Sequence, residues 1–179
     1  TSFGRPACNE IISLMESSQG VLWAGTWYGG LARFNKETGQ FRYYFGEGDT
    51  LTIPRIRTLF QRTANSFYLG SDDGLYTFNT TTGECLPTDD EQNKESIYAC
   101  YQDREGGIWI GTYFSGVSYL SPKHKDIEWY YPNGTENSLS GNVISQFCED
   151  PDGNIWIATE DGGLNLFDPR TKKFKNHLL

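Results

Sequence analysis

Four short segments of the chain carry side chains whose chemistry suits the binding of a sugar. Aromatic rings offer flat apolar faces to the C–H groups of a pyranose, and carboxylates accept hydrogen bonds from its hydroxyl groups. Each segment follows a run of apolar and small residues, which predicts that a strand ends there and a loop begins. Packing of the same rings against a neighbouring element is the alternative interpretation. The candidate binding residues are Trp27 and Tyr28, Asp72 and Asp73, Tyr113 and Phe114, and Glu160 and Asp161.

The sequence offers little for catalysis. Asp72 and Asp73 are adjacent, so their side chains would point apart on an extended chain instead of flanking one glycosidic bond. His124 and His177 occur singly, without a carboxylate or metal-ligand partner at a suitable spacing. The run "DPDGN" (Asp150 to Asn154) starts like a calcium loop but lacks the later Glu, and we interpret it as a hairpin turn. We therefore predict binding without catalysis, and neither a cofactor nor a metal.

The composition of the chain predicts a globular protein made of short strands. Its 179 residues are 15% aromatic and include 20 Gly, which favours strands joined by tight turns. The formal net charge of -8 argues against sequence-independent binding to nucleic acid or to an anionic membrane surface, because both need a basic surface. The four cysteines lack the close CxxC spacing of zinc and redox sites, and the sequence leaves their pairing open.

One motif recurs four times along the chain and sets the spacing of the candidate residues. Each copy contains an aromatic anchor followed by small residues, and the anchors are 45, 41 and 47 residues apart. A period of this length belongs to propeller blades or to solenoids. The anchors are Trp23, Tyr68, Trp109 and Trp156.

A short apolar segment that begins with Ile precedes each anchor. The four segments read "IISLME", "IRTLFQ", "IYACYQ" and "ISQFCE", and turn residues separate each from its anchor. Runs of about six residues with this composition favour buried strands over helices. Each copy of the motif therefore predicts four antiparallel strands, with the anchor on the second strand.

Repeats of this kind predict an all-β fold, a β-propeller segment of four four-stranded antiparallel blades. The blades cover about residues 10–46, 55–88, 96–132 and 142–179. We expect each anchor ring to pack between neighbouring sheets, while the small residues after it let the backbones approach. A right-handed β-helix is the alternative, but its repeats are shorter and lack paired hairpins. We expect the segment to be part of a larger propeller or to be completed by a second copy of the chain, for instance as four blades plus four.

The fourth copy of the motif resembles the two-component regulator propeller repeat. The residues that carry the resemblance include Leu139-Ser140, the turn at Asp152-Gly153, and Trp156-Ile157-Ala158-Thr159. Gly162-Gly163-Leu164 and Phe167-Asp168 complete the pattern. The first and third copies of the motif have a similar pattern. The second copy differs from it, because Tyr68 replaces the Trp and Cys85 replaces an aromatic residue.

The resemblance implies a sensory role for the segment. In this family the repeats form two seven-bladed propellers in the periplasmic sensor of hybrid two-component histidine kinase and response regulator proteins, followed by a membrane helix and a kinase. The resemblance therefore implies a periplasmic location, as the extracytoplasmic part of an inner-membrane protein, and an oligosaccharide or other small ligand as partner. On the ground of the net charge of -8, we expect no nucleic-acid or membrane contact by this segment.

Two interpretations from other classes stay open at this point. The segment could belong to a propeller lyase or glycosidase, which an assay for reducing sugars or unsaturated products would reveal. It could also be an architectural propeller that binds proteins alone, in which case the array would bind no glycan in a calorimeter.

Overall fold

The computed structural model describes residues 3–4, 10–46, 49–53, 55–88, 94–122 and 127–177. These residues contain seventeen β-strands, arranged in four separate sheets. The predicted all-β class and the four four-stranded antiparallel units are thereby confirmed. Among the described elements there is no helix with the length and apolarity of a membrane span.

Each sheet is formed by consecutive strands paired antiparallel in chain order. Sheet 1 contains β2 (Ile11–Glu16), β3 (Leu22–Thr26), β4 (Leu31–Asn35) and β5 (Gln40–Tyr44), with β1 (Phe3–Gly4) added beside β5. Sheet 2 contains β6 (Ile56–Thr63), β7 (Ser66–Ser71), β8 (Gly74–Asn79) and β9 (Cys85–Pro87). Sheet 3 contains β10 (Ile97–Gln102), β11 (Ile108–Thr112), β12 (Val117–Leu120) and β13 (Ile127–Tyr130). Sheet 4 contains β14 (Ile144–Glu149), β15 (Ile155–Thr159), β16 (Gly163–Asp168) and β17 (Lys173–His177).

The first strand of every sheet contains a register shift at its second residue. In sheet 1, for example, Ile11 pairs with Thr26 and Ser13 pairs with Gly25, so that the residue between them has no partner in the ladder. Such a β-bulge redirects one side chain away from the regular alternation. The bulge residues are Ile12, Arg57, Tyr98 and Ser145.

The chain divides into two compact units, residues 1–94 and residues 95–179. In unit 1, sheets 1 and 2 pack face to face around Trp23, which is 3% exposed. Its ring meets the edges or faces of Phe67 and Phe78, with ring centroids 5.1 and 5.8 Å away. Gly25 lies against β6, where a Cβ would overlap the carbonyl oxygen of Ile56. The small residue after the anchor therefore permits the close approach of the second sheet.

Unit 2 repeats this arrangement with sheets 3 and 4. Trp109 is 1% exposed and lies 5.4 Å from Phe167, centroid to centroid. Its Nε1 donates a hydrogen bond of 2.9 Å to Asp103 in the turn before β11. Gly111 lies against Ile144 of β14, with no room for a Cβ. Burial of a Trp side chain in this way contributes about 3 kcal/mol to folding.

The two remaining anchors differ in burial. Tyr68 is buried and stacks on Phe60 of its own sheet at 6.3 Å. Trp156 is half-buried, with the ring of His177 5.6 Å away. It lies on the face of sheet 4 opposite to the one that meets Trp109, and it shares that face with the exposed residue Cys148. Trp156 is therefore less buried than the three other anchors.

Candidate ligand-binding rim

The candidate residues lie in the loops that join the second and third strands of the sheets. A hydroxyl residue at the end of each second strand holds this loop in place. Thr26 Oγ1 accepts a hydrogen bond of 2.7 Å from the N–H of Gly29 and donates one of 2.9 Å to the carbonyl of Gly30. Ser71, Thr112 and Thr159 likewise donate to the loop that follows them. A strand-end hydroxyl is thus the local device that sets the shape of each loop.

Glycine is required where two of these loops turn back into the third strand. Gly30 and Gly116 have φ angles of 70° and 75°, which residues with a Cβ rarely adopt. A Cβ would also overlap the carbonyl oxygen of Tyr44 in the first case and of Tyr130 in the second. These two glycines fix the loops that carry the predicted aromatic residues.

The unit 1 rim is formed by Trp27, Tyr28, Arg55, Arg57, Asp72 and Asp73. Arg55 precedes β6, Arg57 is its bulge residue, and both guanidinium groups donate hydrogen bonds to the Asp72 carboxylate. The Arg55 Cζ lies 4.8 Å from the centroid of the Trp27 ring, and the Arg57 Cζ lies 5.2 Å from it. The structure therefore brings together predicted residues from the loops of sheets 1 and 2 and joins them through two arginines.

The charges of the unit 1 rim stabilise one another. Partial burial raises the pKa of the Asp72 carboxyl, but the hydrogen bonds from Arg57 and Arg55 outweigh it, so the pKa lies below its ordinary value. The hydrogen bond to Asp72, with a second one to Tyr28, raises the pKa of the Arg55 guanidinium. Arg55 and Asp72 are therefore ionised at neutral pH.

Asp73 is held within its own loop. Its Oδ1 accepts a hydrogen bond of 2.5 Å from Ser71 Oγ, and its Oδ2 accepts one of 3.0 Å from the Tyr76 hydroxyl. Burial, together with the hydrogen bond to Asp73, raises the pKa of Tyr76 to about 12. Asp73 therefore stabilises the loop in which the predicted site lies.

The name unit 2 rim covers two separate groups of residues, namely the rings Tyr98, Tyr113 and Phe114 of sheet 3 and the carboxylates Glu160 and Asp161 that follow β15 of sheet 4. The bulge residue Tyr98 stacks on Tyr113 with ring centroids 4.8 Å apart, and Phe114 meets Tyr113 at 4.1 Å in a T-shaped contact. Phe114 is 66% exposed. The predicted pair of aromatic residues thus extends to three rings that end in an exposed one.

The two acidic residues of the unit 2 rim have different environments. Asp161 accepts hydrogen bonds of 3.0 and 3.1 Å from the backbone N–H groups of Asn142 and Val143, which lead into β14. Burial raises the pKa of Asp161, but these hydrogen bonds outweigh it and leave the pKa below its ordinary value. Glu160 is exposed, and its own N–H donates to the carbonyl of Val143. Asp161 therefore fixes the start of β14.

Sequence reasoning missed Arg55, Arg57 and Tyr98. The last two occupy the second position of the segments that begin with a constant Ile, and that position varies as Ile, Arg, Tyr and Ser. Variation beside a constant residue was the available signal, since the core does not dictate a side chain that leaves the ladder at a bulge.

The remaining candidates for chemistry have structural surroundings. The Asp150 carboxylate accepts hydrogen bonds of 2.9 Å from the N–H groups of Asp152 and Asn154 and from the Asn154 side chain. It thereby closes the turn between β14 and β15. His177 is exposed at the end of β17, and His124 lies outside the described residues. Within the described ranges, no group of three or more His, Cys, Asp or Glu residues is placed to hold a metal ion.

The four sheets have the form of propeller blades, so the chain belongs to the class of β-propeller repeat proteins. Residues 6–28, 91–114 and 138–161 match the model of the two component regulator propeller family. The three segments lie in the three repeats whose anchor is Trp, in agreement with the resemblance seen in the sequence.

Solved structures with a similar fold include two extracellular domains from B. thetaiotaomicron. One belongs to BT3049, described as a hybrid two component system, with a TM-score of 0.77 and 22% identity over 96% of this chain. The other belongs to BT4673, also described as a hybrid two component system, with a TM-score of 0.80 and 17% identity over 97% of this chain. The chain spans 22% of the length of each of these two structures.

The fold is also similar to that of an enzyme. Virginiamycin B lyase from Staphylococcus aureus matches with a TM-score of 0.70 and 11% identity, over 94% of this chain and 55% of the lyase. At such identities the likeness concerns the fold, which hosts unrelated functions. Comparison with curated protein sequences gave no match.

Proposed function

We propose that the chain is part of the extracytoplasmic ligand-sensing segment of a hybrid two-component sensor, and that its rims bind an oligosaccharide released from a glycan. Three regulator propeller repeats support the two-component assignment. Two proteins with a similar fold are described as hybrid two component systems, and their matching parts are extracellular domains. The periplasmic location, the histidine kinase and the signal to transcription are parts of this proposal that concern the whole protein.

The exposed aromatic rings of the two rims carry the proposal of a saccharide ligand. Tyr28 is 58% exposed and Phe114 is 66% exposed, although both lie in loops that hydroxyl and glycine residues hold in place. Each ring is supported by a second one, Trp27 at 6.2 Å and Tyr113 at 4.1 Å. A rigid, exposed ring beside hydrogen-bonding groups is the arrangement that sugar binding uses.

The carboxylates of the rims favour binding over catalysis. Asp72 and Asp161 have pKa values below the ordinary range because of their hydrogen bonds, so they are poorly suited to donate a proton as a general acid. Asp73 is held by Ser71 and Tyr76. These side chains shape the loops, and the proposed role of the segment is recognition.

Calorimetric titration of the chain with a panel of glycan-derived oligosaccharides tests this proposal. We expect Tyr28→Ala or Phe114→Ala to weaken binding of the panel member that binds by about fivefold or more, because a stacked ring contributes about 1 kcal/mol beyond its buried area. Leu86→Ala is the matched control, since Leu86 is 55% exposed on the outer strand β9, away from the loops.

Two results would overturn the proposal. The first is the absence of binding by every oligosaccharide, with all variants folded as judged by circular dichroism. The second is reproducible turnover of a glycan by the chain, which would make the segment an enzyme.

A further inference from the structure

We propose that the unit 1 rim selects an acidic saccharide, whose carboxylate or sulfate group binds Arg55 beside the inner Arg57 while its sugar ring stacks on Tyr28. This inference rests on the proposed function and names the class of ligand that the rim takes. The anionic group is the shared chemistry of uronic acids and sulfated sugars.

The first observation is that both arginines reach one small region from neighbouring positions at the start of β6. Arg55 and Arg57 donate to the two oxygens of Asp72, and both guanidinium groups lie within 5.2 Å of the Trp27 ring centroid. The bulge at Arg57 takes its side chain out of the ladder and so allows this convergence. Two guanidinium groups held beside each other are a preorganised site for an oxyanion.

The second observation is that the arginines differ in access. The side chain of Arg57 is 15% exposed, whereas that of Arg55 is 35% exposed. Arg57 is therefore the fixed inner group, and Arg55 is the one that presents N–H donors to an incoming ligand. A guanidinium has five N–H donors, so Arg55 can bind a second oxyanion without releasing Asp72.

The third observation concerns the rings. Trp27 makes cation–π contacts with both arginines. Tyr28 is the ring that faces solvent, and the Arg55 Cζ lies 5.8 Å from its centroid. A ligand that stacks on Tyr28 therefore places its substituents beside the Arg55 guanidinium. An anionic substituent gains a charge-assisted hydrogen bond there, which is stronger than the bond a hydroxyl makes.

The charge of the whole chain makes this local arrangement informative. A net charge of -8 repels anions at long range, so an acidic ligand binds only where positive groups are concentrated. The loop contributes two carboxylates, of which Asp72 accepts hydrogen bonds from both arginines, whereas Asp73 accepts hydrogen bonds from the hydroxyls of Ser71 and Tyr76. Neutralising Asp72 should consequently strengthen the binding of an acidic saccharide and leave a neutral one unaffected.

The test uses matched pairs of probes that differ in charge. Digalacturonate is compared with digalactose, and sulfated lactose with lactose, by calorimetry on the intact chain. We expect an acidic member to bind about tenfold or more tightly than its neutral counterpart, with an affinity that falls as salt rises. The pair that responds distinguishes a carboxylate from a sulfate ligand.

Three variants connect the preference to these residues. Arg55→Gln should remove the preference for the acidic probe, and Asp72→Asn should strengthen its binding by up to about fivefold. Arg62→Gln is the matched control, since Arg62 lies at the other end of β6 with its Cζ 5.4 Å from the Tyr68 ring. Thermal unfolding checks that each variant is folded.

The outcomes separate this inference from the proposed function. Equal or tighter binding of the neutral probes, lost with Tyr28→Ala, would overturn the acidic class and leave the saccharide sensor standing. An acidic preference that Arg55→Gln and Asp72→Asn do not change would place the ligand elsewhere and overturn the inference. Failure of all four probes and of the wider oligosaccharide panel would overturn the proposed function together with this inference.

Discussion

Removal of the Trp109 side chain should destabilise unit 2 far more than removal of Trp156, although both are anchors of the same repeat. Trp109 is 1% exposed and contacts aromatic rings of both sheets of the unit, among them Tyr119 at 4.5 Å and Phe167 at 5.4 Å. Truncation of a Trp buried in this way costs about 3–5 kcal/mol. Trp156 is half-buried, so its truncation should cost about 1–2 kcal/mol.

Urea denaturation followed by circular dichroism measures the difference between Trp109→Ala and Trp156→Ala. The expected gap of about 2 kcal/mol corresponds to a shift of about 10 °C in Tm for a unit of this size. Trp109→Phe, which keeps an aromatic ring but loses the hydrogen bond to Asp103, should lie between the wild type and Trp109→Ala. Equal costs for the two alanine variants would refute the reasoning that the ring acts as a wedge between two sheets.

Three further predictions concern single side chains. Because the pKa of Tyr76 is raised from 10.0 to about 12, its contribution to stability is present below pH 10 and is lost as the pH rises towards 12. Tyr76→Phe should therefore flatten this part of the curve of unfolding free energy against pH. An unchanged curve would contradict the prediction. Cys148 is exposed, whereas burial raises the pKa of the Cys100 thiol to about 12. Mass spectrometry after alkylation at pH 8 should therefore find Cys148 modified before Cys100. Equal rates of alkylation would argue against the burial of Cys100. Gly30→Ala should destabilise unit 1 more than Gly39→Ala in thermal unfolding, since both have positive φ but only Gly30 faces a backbone carbonyl, and equal effects would show that φ alone matters.

The sheets could be predicted from the sequence because the repeat gives four independent copies of one pattern. Each anchor, each constant Ile and each turn occurs in register with the others, so strand order within a unit follows from chain order. Strand β1 was missed because Phe3–Gly4 has two residues and shows no alternation. The half-burial of Trp156 was also missed, since the pattern of a repeat does not reveal which of its faces is covered.

The rims could be predicted in part. The loops that bear Tyr28 and Phe114 follow from the ends of the second strands, and the structure gives both residues exposed rings. The partners of these loops come from the start of a different strand, through a bulge that the hydrophobic pattern does not show. For that reason the sequence revealed the aromatic residues but neither Arg57 nor Tyr98.

Hydrogen–deuterium exchange of the chain with and without a bound oligosaccharide tests most directly whether the loops after the second strands form the binding surface. We expect slower exchange at residues 26–30, 71–74 or 112–116 when the saccharide is present, with no change in the outer strands β9 and β17. Protection confined to those outer strands, or to the turns that precede them, would contradict it.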